Sequence, residues 1–391
     1  MAAGFSAGDV IAYMSECRER VLEELRTFIP STGPFGPCLY DLMYEYPLRG
    51  AKALRPALCI ATSRALGGSM HGVLRSAAVI ELYHNAFLIH DDIEDQSHKR
   101  RDQPTLHLKH GLPVAVNVGD AMLALALGPL LDNMRLLGMG PALRILQFIA
   151  RMARESAEGQ ALELMWARGG DFRVSDRDYL RMVHKKTGWY TFLTPVLIGA
   201  TVAGASQQQT EALRRFATAL GSAFQIQDDI LNLRADEGRY GKEIGGDLWE
   251  GKHTLMLLHA VRSAGAREGE RALEVLRKPR PPADEGQRYF DGVREELDRL
   301  VSRSELTASG RELLLDTLCT APTARYKTAE DVEFLADLIQ RHRSIDYAQA
   351  MARRRALRAR RTLERLDARL SSSVHLAFLH GLVDFVVQRD H

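Results

Sequence analysis

With 391 residues, 46% of them apolar and 26% charged, the chain has the balance of a folded globular protein, long enough for one large domain or two ordinary ones. A net charge of +2 argues against a general nucleic-acid binder, and the four cysteines (Cys17, Cys38, Cys59 and Cys319) lack the spacing of a zinc site or a disulfide framework. No N-terminal stretch reads as an export signal, and the longest apolar run, around Met122 to Leu131, is too short to span a bilayer, so a cytoplasmic protein without stable membrane insertion is expected.

Nearly every informative segment has helical spacing. Val10 to Phe28 carries apolar residues one turn apart and is closed by Pro30, Pro34 and Pro37. Pro56 opens a helix through Ala65, and another runs from about Gly72 into the acidic sequence HDDIED. Leu112 to Leu136, Ala142 to Arg168, Asp176 to His184, Thr187 to Ala203, Gln208 to Leu233 and Thr254 to Ala264 continue the pattern. Period-two alternation is almost absent, so the fold class is all-α, with helices long enough to surround a deep cavity. Leu233 to His253, rich in glycine and charge, reads as a lid-like loop. From about 281 to 322 two amphipathic helices follow, with apolar stripes at Tyr289, Val293, Leu297, Leu300 and Val301 and at Leu313, Leu314, Leu318 and Cys319. Ala329 to Gln340 and Tyr347 to Leu370 are helical again. The second is strongly basic, with Glu364 and Asp367 giving it the look of a solvated helix.

The chemistry concentrates in Glu81 to Thr105. Asp91 and Asp95, four residues apart on a helix, share a face and can reach one ion, with Asp92 beside them. Apolar neighbours (Ile80, Leu82, Phe87, Leu88 and Ile89) suggest burial, and a buried carboxylate needs a partner. A hard divalent cation suits it, while Lys99, Arg100 and Arg101 suggest an anionic ligand such as phosphate. Phe224 to Asn232 (FQIQDDILN) repeats the Asp-Asp spacing at Asp228 and Asp229. One such cluster is by default a solvated helix face. Two, each preceded by an apolar helix, suit Mg²⁺ bridging a diphosphate.

With these motifs the chain resembles the trans-isoprenyl diphosphate synthases, the polyprenyl synthetase family. HDDIED matches the family's DDxxD, FQIQDDILN its FQxxDDxxD, and GAKALRP its GGKRxRP. The resemblance implies an isoprenoid-synthase-type helical bundle, one domain over 1–391 with a helical insert at about 281–322, and a homodimer. It implies that Lys52, Arg55, His84 and Arg101 hold isopentenyl diphosphate. Arg100, Lys186, Thr187, Gln225, Lys242 and Lys252 would bind the allylic diphosphate. Asp91 and Asp95 would coordinate two Mg²⁺ ions and Asp228 a third, with Asp92, Asp229 and Asp247 supporting metal-bound waters and neighbouring lysines. Gln160 and Glu163 match a further motif facing the cavity. Without the resemblance, His84 reads as a core histidine, Lys186 and Thr187 as a helix boundary, and Lys242 and Lys252 as solvated loop residues.

Three departures stand out. Ala51 and Ala53 replace the second glycine and first arginine of GGKRxRP, Asp102 follows Arg101 where the family has glycine, and Asn232 replaces the last aspartate of the second motif. A bulky residue five before the first motif is the family's floor for short products. Ala86 leaves that position open, while Phe87 and Tyr83 could close the cavity further down, which favours the twenty-carbon geranylgeranyl diphosphate. Farnesyl and geranylfarnesyl diphosphates are the neighbouring products. A terpene cyclase and a non-catalytic diphosphate-binding subunit are the competing readings, against which Lys52, Arg55, His84 and the intact acidic motifs speak. The insert could cap the bundle, extend a dimer interface or bind a partner.

Overall fold

The computed structural model describes residues 5–169, 173–234, 245–281, 285–323, 326–367, 370 and 372–388, without the side chains of 168–169, 285–292 and 316–323. Within them the chain is helical apart from one two-stranded ribbon, the all-α fold expected. It divides into two compact units, Met1–Leu164 with Ser175–Ile244 and Asp346–His391, and Met165–Val174 with Gly245–Ile345.

The first unit is built on α4 (Met70–Glu94), reached through α1 (Ala7–Phe28), the single turn α2 (Glu45–Leu48) and α3 (Leu54–Ala65). Ser69 caps α4 by accepting the Gly72 amide at 3.0 Å. From Val73 to Ala86 most α4 side chains are buried whichever way they face, because α1, α3, α6 (Leu112–Leu125) and α7 (Leu127–Leu137) pack around it. A helix apolar on every side is a core helix, and the end of this one carries the first acidic motif. Before α6 come β1 (Lys99–Arg100), β2 (Gln103–Pro104) and α5 (Leu106–His110).

Two expected rods are broken. Leu112–Leu136 is two helices meeting at Ala126, because Pro129 has no amide to offer the carbonyl of Leu125. Thr187–Ala203 begins inside a ten-residue π-helix, His184–Leu193, which follows α9 (Asp176–Val183) and passes into α10 (Thr194–Val202). The ribbon was not expected: Arg101 and Asp102 make its turn with φ of 54° and 59°, a left-handed pair usually supplied by Asn-Gly. α8 (Met139–Gly169) and α11 (Gln207–Arg234) carry site residues, and α18 (Ser344–Asp367) and α19 (Val374–Gln388) close the unit. On α10, a Cβ at Gly199 would stand 2.5 Å from the Cys59 carbonyl, so glycine is what lets α3 and α10 touch.

The second unit holds α12 (Gly246–Glu250), α13 (Leu255–Ser263), α14 (Ala266–Arg277), α15 (Glu285–Ser302), α16 (Ala308–Thr323) and α17 (Ala329–Arg341). Lys327, 3% exposed, donates to the carbonyl of Trp249 at 2.9 Å, and Lys278 pairs with Asp331 at 2.6 Å. The insert is the pair α15 and α16, joined by Arg311 on Asp298 at 2.5 Å. Of its two expected stripes, the first buries Leu297. Of the second, Leu313 and Leu314 are 68% and 40% exposed; Tyr289, Leu318 and Cys319 have side chains outside the described residues.

Candidate active site

The last turn of α4 presents Asp91, Asp92 and Glu94, and Asp95 caps it with its amide 2.8 Å from the Asp91 carbonyl. Their environments differ. Asp92 is fully buried and accepts from Arg100 Nε at 3.0 Å, from Arg100 Nη2, and from the Tyr46 hydroxyl at 2.7 Å. Tyr46 in turn accepts the Leu106 amide at 3.0 Å. Burial opposes the Arg100 charge, but Asp92 and Asp91 outweigh it and raise its pKa. Arg100, which the resemblance gives to the allylic diphosphate, is held here by Asp92, and Asp92 takes an arginine and a tyrosine as its partners. A fully buried carboxylate requires such partners, and the ribbon turn delivers one.

Asp91 stays partly open, its side chain 25% exposed, and its Oδ1 meets Lys186 Nζ at 3.0 Å. Lys186 also pairs with Glu163 of α8. The neighbouring Thr187 donates to Gln225 Oε1 at 2.8 Å, Gln225 Nε2 donates to Asp229 Oδ1 at 2.8 Å, and the Tyr179 hydroxyl donates to Asp229 Oδ2 at 2.7 Å. Two consecutive residues of the π-helix thus join the first acidic motif to the second. The close approach of α8 makes this possible, since a Cβ at Gly159 would lie 2.3 Å from the Lys186 amide nitrogen. Asp229 is buried, and burial, with Asp228 and Glu163 nearby, raises its pKa against the lowering by Tyr179 and Gln225. Its partners are Tyr179 and Gln225 where lysines were expected. Gln160 donates to Glu94 at 2.6 Å, which places that motif residue beside the first aspartates.

A third cluster is cationic. Arg55 Nη1 donates to His84 Nε2 at 3.0 Å, which leaves that nitrogen as the acceptor of a neutral ring. Tyr190 lies against both, with the Arg55 guanidinium 4.5 Å from its ring centroid and the His84 ring stacked at 5.9 Å. Arg101 donates to the Tyr46 carbonyl and Arg18 of α1 to the Pro47 carbonyl at 3.0 Å, so adjacent carbonyls of α2 hold two guanidinium groups side by side. Burial, only partly offset by Glu81, pulls Arg101 down to about 10. Glu81 is itself buried and raised by burial, with Arg55, Arg101 and Arg18 close enough to oppose the shift. Three arginines face one acid here, and the Nε atoms of Arg18 and Arg55 lack hydrogen-bond partners among the described residues. Excess half-buried positive charge of this kind suits a multivalent anion. Arg18, Tyr46, Glu81, Tyr179 and Tyr190 escaped the sequence reading. Only the ECRER stretch around Arg18, on an otherwise buried helix face, carried any signal.

The structure therefore brings Arg55, His84 and Arg101 together, Asp91 with Lys186, and Thr187 with Gln225 and Asp229. Lys52 is exposed on the turn before α3, which Ala53 enters with φ of 50°. Tyr83 and Phe87 meet edge to face at 5.9 Å, Phe87 meets Tyr190 at 5.7 Å, and Ala86 is fully buried. Lys242 lies outside the described residues. Lys252 belongs to the second unit, where it pairs with Glu250 at 2.7 Å and stands 3.9 Å from Asp247.

The donor set of Asp91, Asp95 and Asp228 is all oxygen, which fits a hard cation. Among the described residues no three His, Cys, Asp or Glu side chains form a ready cage.

Comparison with known proteins points the same way. The sequence pattern of the family described as Polyprenyl synthetase matches residues 37–290. A geranylgeranyl diphosphate synthase of Sulfolobus acidocaldarius is 33% identical over 264 residues, 68% of this chain and 78% of the relative. An octaprenyl diphosphate synthase of Haemophilus influenzae is 30% identical over 318 residues, 81% of this chain and 90% of the relative. The crystal structure of a polyprenyl synthase from Caulobacter crescentus, complexed with calcium and isoprenyl diphosphate, is similar at a TM-score of 0.75 and 27% identity, covering 100% of both chains.

Proposed function

Because the chain belongs to the polyprenyl synthetase family, we propose that it is a trans-prenyltransferase condensing isopentenyl diphosphate with allylic diphosphates, and that its main product is geranylgeranyl diphosphate. The observation that carries this reading is the π-helix, whose Lys186 and Thr187 tie the two acidic motifs to one wall. This reading gives each of the two diphosphates its own group of residues. The carboxylates Asp91, Asp95 and Asp228 would hold the allylic diphosphate through three Mg²⁺ ions, and Arg55, Arg101 and His84, with Lys52, would hold isopentenyl diphosphate.

When bound, Mg²⁺ supplies Lewis-acid charge to the diphosphate that leaves the allylic carbon. Lys186 neutralises the same region and is itself positioned by Glu163. The cation formed at the allylic carbon needs a site closed to water, and the aromatic rings of Tyr83, Phe87 and Tyr190 offer π faces that tolerate positive charge. The double bond of isopentenyl diphosphate attacks that carbon, and a proton is lost to the released diphosphate.

Product length rests on Ala86 and its aromatic neighbours. A small buried residue there supports a tail longer than farnesyl, and the Tyr83–Phe87 pair supports a limit. The octaprenyl relative favours a second reading, a longer product from the same chemistry. Incubation with Mg²⁺, isopentenyl diphosphate and each allylic primer, followed by mass spectrometry of the hydrolysed products, separates these. Accumulation of farnesyl diphosphate alone refutes the geranylgeranyl assignment, and cyclic hydrocarbon refutes prenyl transfer. Ala86→Phe shortens the product if this residue opens the cavity; an unchanged product places the floor elsewhere.

A cytoplasmic homodimer is part of the proposal. The free thiols Cys17, Cys38 and Cys59 support a reducing compartment. The stretch Leu112–Leu137 is apolar enough to pass for a membrane span by length and composition, a longer stretch than the run at Met122–Leu131 suggests. One of its faces packs on α4, and Leu112, Val116, Leu127 and Leu131 of the stretch are exposed, as are Met139 and Leu143 of α8. A second copy of the chain is the occupant that would cover these exposed residues. Sedimentation equilibrium giving the monomer mass would refute it.

A further inference from the structure

The first unit carries a strongly charged surface that the site does not use. Along α18, Arg354, Arg358, Arg361 and Arg365 recur at i, i+4, i+7 and i+11 and are all exposed, with Arg353 and Leu357 exposed beside them. At 1.5 Å per residue the stripe is about 17 Å long. The opposite side of the helix is core, with Ala352, Ala356, Ala359, Leu363 and Leu366 buried. None of these five arginines forms an ion pair among the described residues, whereas Arg360, at the edge, pairs with Asp384. Glu364 is the one acidic residue on the exposed side between Ala350 and Leu366. Like charges one turn apart weaken a helix, so the folded chain keeps this stripe against its own local preference. An external polyanion reverses that effect.

We propose that the arginine stripe of α18 docks the protein on an anionic lipid bilayer. Guanidinium groups are weakly hydrated and bind phosphates in a bidentate manner, which suits them to lipid headgroups. Leu357, 46% exposed, sits among Arg353, Arg354, Arg358 and Arg361, where a bilayer takes up its apolar side chain and a polynucleotide backbone does not. Tyr347 is the only aromatic residue of α18, and its hydroxyl is bound to Asp176, so the face offers no ring for a base to stack on. The net charge of +2 also means that the attraction is local to this helix and is not a field of the whole protein. The biological sense of the docking rests on the proposed function: a product with an apolar tail and a diphosphate head partitions into the surface on which its enzyme sits.

The full-length chain is mixed with sucrose-loaded vesicles of phosphatidylcholine alone, or with about one-third phosphatidylserine, and sedimented at increasing salt. Binding to the anionic vesicles that fades with salt is expected, with little binding to the neutral ones. The triple variant Arg358→Gln, Arg361→Gln, Arg365→Gln lowers the anionic partition coefficient about a hundredfold, and the corresponding lysine variant retains most of it. Both variants melt no lower than the wild type and keep prenyl transfer on short substrates, because the stripe lies outside the site. Absence of vesicle binding, equal binding to both compositions, binding unchanged in the triple variant, or displacement of the protein from vesicles by duplex DNA of equal charge overturns the proposal. The arms are independent of catalysis. Vesicle binding without prenyl transfer refutes the proposed function alone, and prenyl transfer without vesicle binding refutes the docking alone.

Discussion

Replacing Gly159 by alanine tests the link between helix packing and the site. The new Cβ would lie 2.3 Å from the Lys186 amide nitrogen, 2.6 Å from its Cα and 2.9 Å from the Lys185 carbonyl carbon. Backbone atoms are not the yielding end of a side chain, and an unstrained contact needs about 3.5 Å, so α8 and the π-helix must part by roughly 1 Å. The moved residue is Lys186, whose Nζ stands 3.0 Å from Asp91 Oδ1. A displacement of about 1 Å at reacting groups lowers turnover by about 10²-fold, or about 2.7 kcal/mol. Overpacking adds about 1–3 kcal/mol of lost stability. The assay is single-turnover prenyl transfer beside thermal melting. Gly140→Ala on the same helix is the control, since its Cβ meets nothing within 4 Å; it should leave turnover unchanged. Combining Gly159→Ala with Lys186→Ala should be no worse than Lys186→Ala alone. A Gly159→Ala protein with turnover within about threefold of wild type and unaltered melting would refute the reasoning.

Other expectations follow from single contacts. Arg18→Met removes one of the guanidinium groups around Glu81 and should raise the KM for isopentenyl diphosphate about tenfold, leaving that of the allylic substrate unchanged; equal effects on both would place Arg18 outside the subsite. Tyr46→Phe strips a partner from buried Asp92 and from the Leu106 amide, with a stability loss of about 1–3 kcal/mol by denaturant titration; a loss below about 0.5 kcal/mol would mean that water or Arg100 replaces the hydroxyl. Burial lowers Lys327 from 10.5 to about 8, so its charged form is disfavoured in the fold. The destabilisation is present in full below pH 8 and is lost as pH rises towards 10.5, a gain on the order of 3 kcal/mol from this group. Lys327→Met should therefore flatten the pH dependence of stability across that window, and an unchanged slope would assign it to another residue.

Helices and motifs were legible because their signals are periodic and local. Asp91 and Asp95 announce a shared face by spacing alone, and the apolar run before them announces burial. What hid was set by partners distant in sequence. Tyr46 lies 46 residues from Asp92, and nothing in its neighbourhood marks it as the donor that a buried carboxylate needs. The sequence does not show that a ribbon turn folds Arg100 onto Asp92. That turn was missed because Arg-Asp replaces the Asn-Gly that normally signals two left-handed residues. The π-helix has the composition of an α-helix, so only its hydrogen bonds reveal it.

Asp176 to Val202 forms one uninterrupted rod with a phase slip in its middle. A π-turn holds more residues than an α-turn, so the slip sets the angular offset between the residues before it and those after it. Lys185, Lys186 and Thr187 reach Glu155, Asp91 and Gln225, while Gly199 is pinned against Cys59. Lys185, Lys186 and Thr187 lie within the segment itself, so deleting one residue from it would change the local backbone that brings these three side chains to their partners. The segment is therefore far more sensitive to a change in length than to most changes in side chain, and an insertion or deletion there would disable the site while leaving every motif residue intact.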